Sequence, residues 1–415
     1  MVQQHLRKFQ RISATKGGIT RLGLTEWEDK AHGAAAAVFG RSKRVKKIRD
    51  TAGNTFLVNG DGRGQYVVMG SHLDSVPNGG WLDGTLGVAA ALSAMQKVLA
   101  KRRHAPVAVA IWADEEGYRF GNGLWGSRAY AGAVSEEELL LSDRDGTMLA
   151  EVLAERGLQK RPRRSRETGE LRARFVYKRP LEIAVYAEAH IEQGGRLIEA
   201  NKHIGLVTQV AGMRRWRLES RGETNHAGTT PMRERRDALV PVAGMVGRLP
   251  QLVRGLESGV ITCGAMGVEP GVANVIPDRA WAIVEHRAAS ERDQDEITRR
   301  LKELVATTGP RAPGVGLEMI PISEMRPTRL SERVVEQLEA VCKKVDAESM
   351  RMVSMAAHDA MNVARVAPAG LFFIPSLRGV SHRPDEDSRR EDIKVAGEIL
   401  YRWALAEVES VLRAD

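Results

Sequence analysis

Residues 65–84 read QYVVMGSHLDSVPNGGWLDG. The run Gln65–Ser71 holds a short apolar stretch of the kind that forms a strand buried on both faces. It ends on His72-Leu73-Asp74. A loop rich in Pro, Asn and Gly follows and carries Asp83-Gly84. Leu86–Leu99 then fits a helix. A buried strand that exits into polar residues before a helix is the opening unit of an α/β sheet, and such sheets bind ligands beyond the carboxyl ends of their strands.

The same grammar recurs on either side. Residues 26–40 (EWEDKAHGAAAAVFG) have helical composition. Val107–Trp112, Tyr186–Ile191 and Leu371–Ile374 are further apolar strands. Strands alternating with helices predict an α/β fold. Between about 213 and 325 the order changes. Strands fit Met213–Ser220, Val260–Val268, Ile276–Arg287 and Val315–Pro321, with helices at Asp237–Leu249 and Asp293–Ala306. That β-α-β-β-α-β order is ferredoxin-like. The chain has 415 residues, beyond what one core supports. We therefore expect a catalytic domain of residues 1–212 plus 326–415, with an inserted α+β domain at 213–325. Helices near 331–345 and 389–412 complete the first domain.

Every strand of the large domain exits into groups able to bind metal. The first gives His72 and Asp74, with Asp83 in the loop beyond. The second gives Asp114-Glu115-Glu116-Gly117, and the third Glu188-Ala189-His190-Ile191-Glu192-Gln193-Gly194. The fourth leads to Gly379-Val380-Ser381-His382-Arg383-Pro384. Singly, a His-x-Asp is an ordinary hydrogen-bonded pair and an acidic run an exposed turn. Together, at strand exits, they read as one site. Imidazole plus carboxylate without thiolate suits Zn²⁺, Mn²⁺, Co²⁺ or Ni²⁺. Three histidines and two carboxylates suffice for two ions if Asp83 is shared, and such a pair can hold a hydroxide and polarise a carbonyl. Asp74 is spaced to accept the other ring N–H of His72. Glu115 and Glu116 point opposite ways in an extended segment, so one can ligate while the other acts as general base.

The bulk numbers exclude several classes. The net charge of +9 invites a nucleic-acid reading, but aromatics are only 5% and no nucleic-acid motif is present. The excess sits in two local runs, Arg41–Arg49 and Arg156–Lys178, and the second reads as a solvated loop or surface helix. No nucleic-acid partner is expected. Cys263 and Cys342 cannot build a disulfide framework. The polar start MVQQHLRKFQ lacks the apolar stretch of a signal peptide. No run approaches a membrane span, and a cytoplasmic location is expected.

The chain resembles the dinuclear metallopeptidase and amidase superfamily that includes aminoacylases, and more narrowly its amidase, hydantoinase and carbamoylase branch. The stretches that carry this are GSHLDSVPNGGWLDGTLGV (70–88), DEEGYRFG (114–121), EAHIEQGGRLIEA (188–200), HAGTTPMRERRDAL (226–239), NVIPD (274–278), AAHDAM (356–361) and GVSHRPDE (379–386). The resemblance implies a mixed-sheet, phosphorylase/hydrolase-like catalytic domain with a ferredoxin-like lid and dimerisation domain, and a homodimer through that lid. It implies two divalent ions, Zn²⁺ first, on His72, Asp83, Glu116, His190 and His382. Glu115 matches the general base, and His226 a histidine that stabilises the tetrahedral oxyanion. Gln193, Asn274 and Arg287 match substrate-binding groups, the last two for a carboxylate. The implied reaction is hydrolysis of a carbamoyl or ureido C–N bond in a small carboxylate, an N-carbamoyl-L-amino acid first. Allantoate, ureidoglycolate and N-carbamoyl-β-alanine are alternatives, as is an aminoacylase or dipeptidase activity. Ala356 and Ala357 stand where the family often has glycines, and the basic 156–178 segment is longer than usual.

Overall fold

The structure is a computed structural model that describes residues 1–40, 42–165, 168–308 and 314–414. In chain order the elements are α1 (Val2–Gln10), α2 (Glu26–Ala36), β1 (Val45–Arg49), β2 (Thr55–Asn59), β3 (Gln65–His72), α3 (Thr85–Lys101), β4 (Val107–Trp112), α4 (Trp125–Ala131), β5 (Glu182–Ile191) and β6 (Ile204–Val210). Next come β7 (Gly212–Arg221), α5 (Leu239–Val246), β8 (Val260–Glu269), β9 (Arg279–Ala288), α6 (Glu291–Thr308) and β10 (Gly316–Met325). The chain closes with β11 (Thr328–Arg329), α7 (Glu332–Lys344), β12 (Ser349–Ser354), α8 (Asp359–Val363), β13 (Ala369–Ile374) and α9 (Arg390–Ala414), among short turns and helices.

The chain divides into two compact units. The large one comprises Met1–Thr208, Arg329–Met352 and His358–Asp415, and the small one Gln209–Thr328 and Val353–Ala357. The division falls a few residues from the expected 213 and 325. The segment 353–357 goes with the small unit because Ser354 O accepts the N–H of Ala211 and Met355 O accepts Arg287 Nη1.

The large unit is built on a mixed sheet ordered β11-β6-β13-β5-β3-β4-β2-β1, with β12 also pairing β6. The neighbours β13, β5, β3 and β4 are parallel, so their carboxyl ends line one sheet edge. All residues of β4 and β13 are buried, as expected of strands covered on both faces. The period of two separates the coverings. Val67, Met69, Val107, Val109 and Val185 join a core with α1, α3, α7 and α9. Phe56, Trp112, Tyr130 and Tyr186 form an aromatic cluster of edge contacts and tilted rings.

Two stretches differ from expectation. The helix predicted over 26–40 ends at Ala36. The basic run 41–49 is half strand, since Val45–Arg49 pairs with β2 at the sheet edge. Exposed lysines there discourage pairing with a second sheet. The run 156–178 is neither a plain loop nor a helix. Arg163–Arg164 pairs with Leu171–Arg172, and Phe175 and Tyr177 pack on the cluster around Trp125. Tyr177 Oη donates to Asp50 at 2.7 Å. Arg41, Arg166 and Glu167 lie outside the described residues.

The small unit is a four-stranded antiparallel sheet ordered β8-β9-β7-β10, with α5 and α6 contributing to its core. Along β9 buried and half-buried residues alternate strictly, so one face packs on helices and the other does not. Among the described residues no helix is long and apolar enough to cross a membrane.

Candidate metal centre

Asp83 is the hub of the site, which belongs wholly to the large unit. Its Oδ1 lies 3.1 Å from His190 Nε2 and 3.8 Å from His72 Nε2. Its Oδ2 lies 3.1 Å from His382 Nε2, and that nitrogen is 3.4 Å from Glu116 Oε2. Two ligand groups result, His72-Asp83-His190 and Asp83-Glu116-His382, each with donor atoms within 4.8 Å of one another. They share Asp83, one oxygen to each group.

The sheet explains the convergence. His72 ends β3, His190 lies at the end of β5, Glu115 and Glu116 follow β4, and His382 follows β13. Local contacts aim each ring. His190 Nδ1 sits 3.0 Å from the Ile191 carbonyl, which leaves Nε2 facing Asp83. Gly84 has φ +59, and a Cβ there would strike the His72 ring, so the loop after Asp83 can close on the histidine only as glycine.

Asp74 divides its work. His72 Nδ1 is 3.2 Å from the Asp74 carbonyl and 3.4 Å from its Oδ1. The carboxylate itself accepts the N–H of Glu115 at 3.1 Å and of Glu116 at 3.0 Å. One buried residue thus orients both, the imidazole through its carbonyl and the acidic pair through its carboxylate. Glu115 and Glu116 do not sit in extended backbone but in a bend after Asp114, whose φ is +50. They still reach different partners, Glu115 Oε2 lying 3.7 Å from His72 Nε2.

Charge is concentrated here. Burial holds the Glu115 carboxyl well above the usual range; His72 opposes this, while Glu116, Asp359 and Asp74 add to it. Burial and the Asp83 charge raise Glu116 to about 7. Burial pushes Asp83 up, but hydrogen bonds from His190 and His382, together with the charges of His190 and His72, hold it well below the usual range. The hydrogen bond to Asp83 is the largest cause raising His382 to about 9. Glu116 Oε1 is buried without a hydrogen-bond partner. Two carboxylates, one with an orphaned oxygen, and three imidazoles with no sulfur form a donor set that fits divalent cations.

Gln193, at φ +61, donates Nε2 to Asp83 Oδ2 at 2.9 Å, while its Oε1 is buried without a partner. The other sequence-derived candidates lie on the small unit. His226 is exposed, and its Nδ1 accepts the N–H groups of Gly228 and Thr229 at 3.0 and 3.2 Å. That leaves its proton on Nε2, a donor. Asn274 accepts the Ala227 N–H through its carbonyl. Arg287 donates Nε to Glu285 Oε1 at 2.8 Å and Nη1 to the Met355 carbonyl at 3.0 Å. Glu285 also accepts two bonds from Arg215. Arg287 is therefore a held side chain rather than a free strand-end charge.

Sequence reasoning assigned no role to His358 and Asp359. His358 is buried, with its ring 4.5 Å from that of His190 in an edge contact. Asp359 is fully buried; burial and then Glu188 hold its carboxyl well above the usual range. A His-Asp pair at a strand-to-helix turn was the available signal.

The profile of Peptidase family M20/M25/M40 matches residues 68–406. The chain is 36% identical over 403 residues to an N-carbamoyl-L-amino acid amidohydrolase of Geobacillus stearothermophilus, covering 95% of each. It is 33% identical over 414 residues to an allantoate amidohydrolase of Bacillus subtilis, covering 94% of each. Among solved structures, a hydantoinase/carbamoylase family amidase from Burkholderia vietnamiensis superposes with a TM-score of 0.84 at 30% identity, over 98% of this chain and 96% of that one.

Proposed function

The chain belongs to the M20/M25/M40 peptidase family, among its hydantoinase/carbamoylase amidases, and from that premise we propose that it hydrolyses the ureido C–N bond of a small carboxylate, an N-carbamoyl-L-amino acid first. The observation that carries this reading is the grouping of His72, His190 and His382 around the two oxygens of Asp83, with Glu115 beside them. His72, Asp83 and His190 would hold one divalent ion, and Asp83, Glu116 and His382 the other. The donor set suits Zn²⁺ first, and Mn²⁺, Co²⁺ or Ni²⁺ as well. Such a pair of ions, when bound, acidifies a water and polarises the carbonyl under attack.

Glu115 supplies the proton chemistry. Its buried carboxylate takes the proton of the attacking water and delivers it to the departing nitrogen as the C–N bond breaks. The products are the amino acid and a carbamate, which collapses to carbon dioxide and ammonia. Asp74 keeps Glu115 in place through its backbone N–H. His226, with Nε2 as donor, stabilises the oxyanion, a contribution of about 3–4 kcal/mol for one preorganised donor. The Arg287 fork and Asn274 take the substrate carboxylate, and Gln193 contacts the substrate.

The same reading includes a homodimer through the small unit, which acts as the lid. Exposed Val260, Met266, Ile320 and Ile322 on its outer strands β8 and β10 support the interface. Unpaired Cys263 and Cys342 are compatible with a cytoplasmic location.

The test is ammonia release from a panel of N-carbamoyl-L-amino acids, allantoate, ureidoglycolate and N-carbamoyl-β-alanine. N-acyl amino acids and dipeptides serve as comparison, and metal-loaded protein is run beside Glu115→Gln. Turnover of a ureido acid that disappears in the variant is expected. Metal-loaded protein that turns over no ureido compound would end the reading, and turnover of acyl substrates alone would replace it with an aminoacylase.

A further inference from the structure

Asp83 can serve two ligand groups only if its carboxylate is held at one rotation, yet it sits in a loop of glycines, asparagine and proline. What holds it is Glu386, which lies in the SHRPDE segment and has no role in the chemistry above. Glu386 is 1% exposed. Its Oε1 accepts two consecutive backbone N–H groups, Leu82 at 2.9 Å and Asp83 at 3.0 Å. Its Oε2 is 2.8 Å from Ser381 Oγ, which in turn is 2.9 Å from Asp83 Oδ2. The Glu386 carbonyl accepts Trp81 Nε1 at 2.9 Å. Gly80 passes directly under the carboxylate, and a Cβ there would collide with it.

Glu386 thus fixes the peptide that carries Asp83 and, with Gln193, flanks the oxygen Asp83 offers to His382, since the single Ser381 hydroxyl proton lies between the two carboxylates. Loop anchoring alone would need only the two bonds to the Leu82 and Asp83 N–H groups; the contact through Ser381 Oγ reaches the carboxylate oxygen itself. The arrangement makes sense if the orientation of Asp83 is what it secures, since partners behind a metal ligand set its direction.

We propose that Glu386 is a positioning residue for the shared carboxylate of the metal centre, acting through Leu82 N, Asp83 N and Ser381 Oγ. This rests on the reading of Asp83 as a metal ligand. The geometry makes the prediction specific. Glutamine at 386 can present its amide oxygen to both N–H groups and its NH₂ to Ser381 Oγ, which then donates to Asp83. Alanine offers nothing, and aspartate is one methylene too short.

The experiment is zinc binding by the full chain, stripped with chelator and titrated with Zn²⁺ against a chromophoric competitor, with thermal unfolding of each metal-free form alongside. We expect Glu386→Ala to weaken zinc binding roughly 10- to 100-fold. Glu386→Gln should stay near wild type, and Glu386→Asp should fall with alanine despite keeping its charge. If Glu386→Ala does not fold, the contrast between Asp and Gln carries the same prediction. Wild-type affinity in Glu386→Ala or Glu386→Asp would overturn the inference. So would a Glu386→Gln loss as deep as that of alanine, which would assign the effect to charge. A wild-type chain that binds no zinc would remove the metal reading and this inference together, whereas wild-type binding with unaffected variants removes only the inference.

Discussion

His190 in the large unit and His226 in the small one are both imidazoles held by the backbone, His190 through Nδ1 to the Ile191 carbonyl and through Nε2 from the Gly84 N–H, His226 through Nδ1 alone, and their surroundings are opposite. His190 is 1% exposed and lies against Asp83, His72 and His358. His226 is exposed in a short loop, and only its Nδ1 is committed. Arg287 stands between these extremes, half-buried and braced by Glu285. The difference divides the labour. On the function proposed above, the large unit would fix charge in place before substrate arrives, and the small unit would supply donors to it. Changes at the ligand cluster and Glu115 of the large unit should therefore alter metal content or proton transfer, and changes at His226 and Arg287 of the small unit should alter turnover and substrate affinity with metal content intact.

The sharpest probe is Glu115→Gln. It should lower kcat about 10²- to 10⁴-fold, the usual worth of a general base, with two ions still bound by elemental analysis. Loss of metal with activity would make Glu115 a ligand and blur the division. Next is His226→Ala, for which kcat should fall about 10²- to 10³-fold with unchanged metal content. A small-unit histidine whose removal strips metal would break the comparison outright. Arg287→Lys keeps the charge but loses the fork. It should raise KM for a carboxylate substrate roughly 10- to 100-fold, the worth of a charged hydrogen bond, and leave kcat nearly untouched.

The smallest effect is on stability. His286 in β9 is completely buried, and burial followed by the nearby Arg214 lowers its pKa to about 4. The unfolded chain binds that proton more readily, at the ordinary value of 6.5. Stability present at neutral pH is therefore lost as pH falls from about 6.5 to about 4. In urea unfolding over that window the wild type should lose about 1–2 kcal/mol more than His286→Gln, and equal losses would clear this histidine.

Much of the large unit was legible because its signals are apolar runs. Val107–Trp112 reads as a strand and is one, and the α/β class follows from such runs alternating with helices. The ligand candidates were legible for a related reason: reactive side chains at strand exits stand out against apolar surroundings. The edge strand Val45–Arg49 was not, since its lysines and arginine read as charge and its half-burial leaves little period. Contacts made through backbone atoms leave no trace in residue type. Nothing in the letters says that Asp74 grips the N–H groups of Glu115 and Glu116, or that Glu386 grips those of Leu82 and Asp83. His358 was missed because a His-Asp pair at a helix start is ordinary until the ring of His190 is placed against it.

The strand order has a consequence for how the protein is made. Strand β13, among the last elements to be synthesised, lies between β5 and β6, which leave the ribosome much earlier. Until residue 374 has emerged the sheet lacks a strand between β5 and β6, and until residue 382 has emerged the proposed metal centre would lack its last imidazole. A nascent chain arrested short of that point would hold an open sheet edge and an unfinished cage, the state most exposed to aggregation and degradation. Such a polypeptide should gain its activity in one late event, not by degrees as it grows.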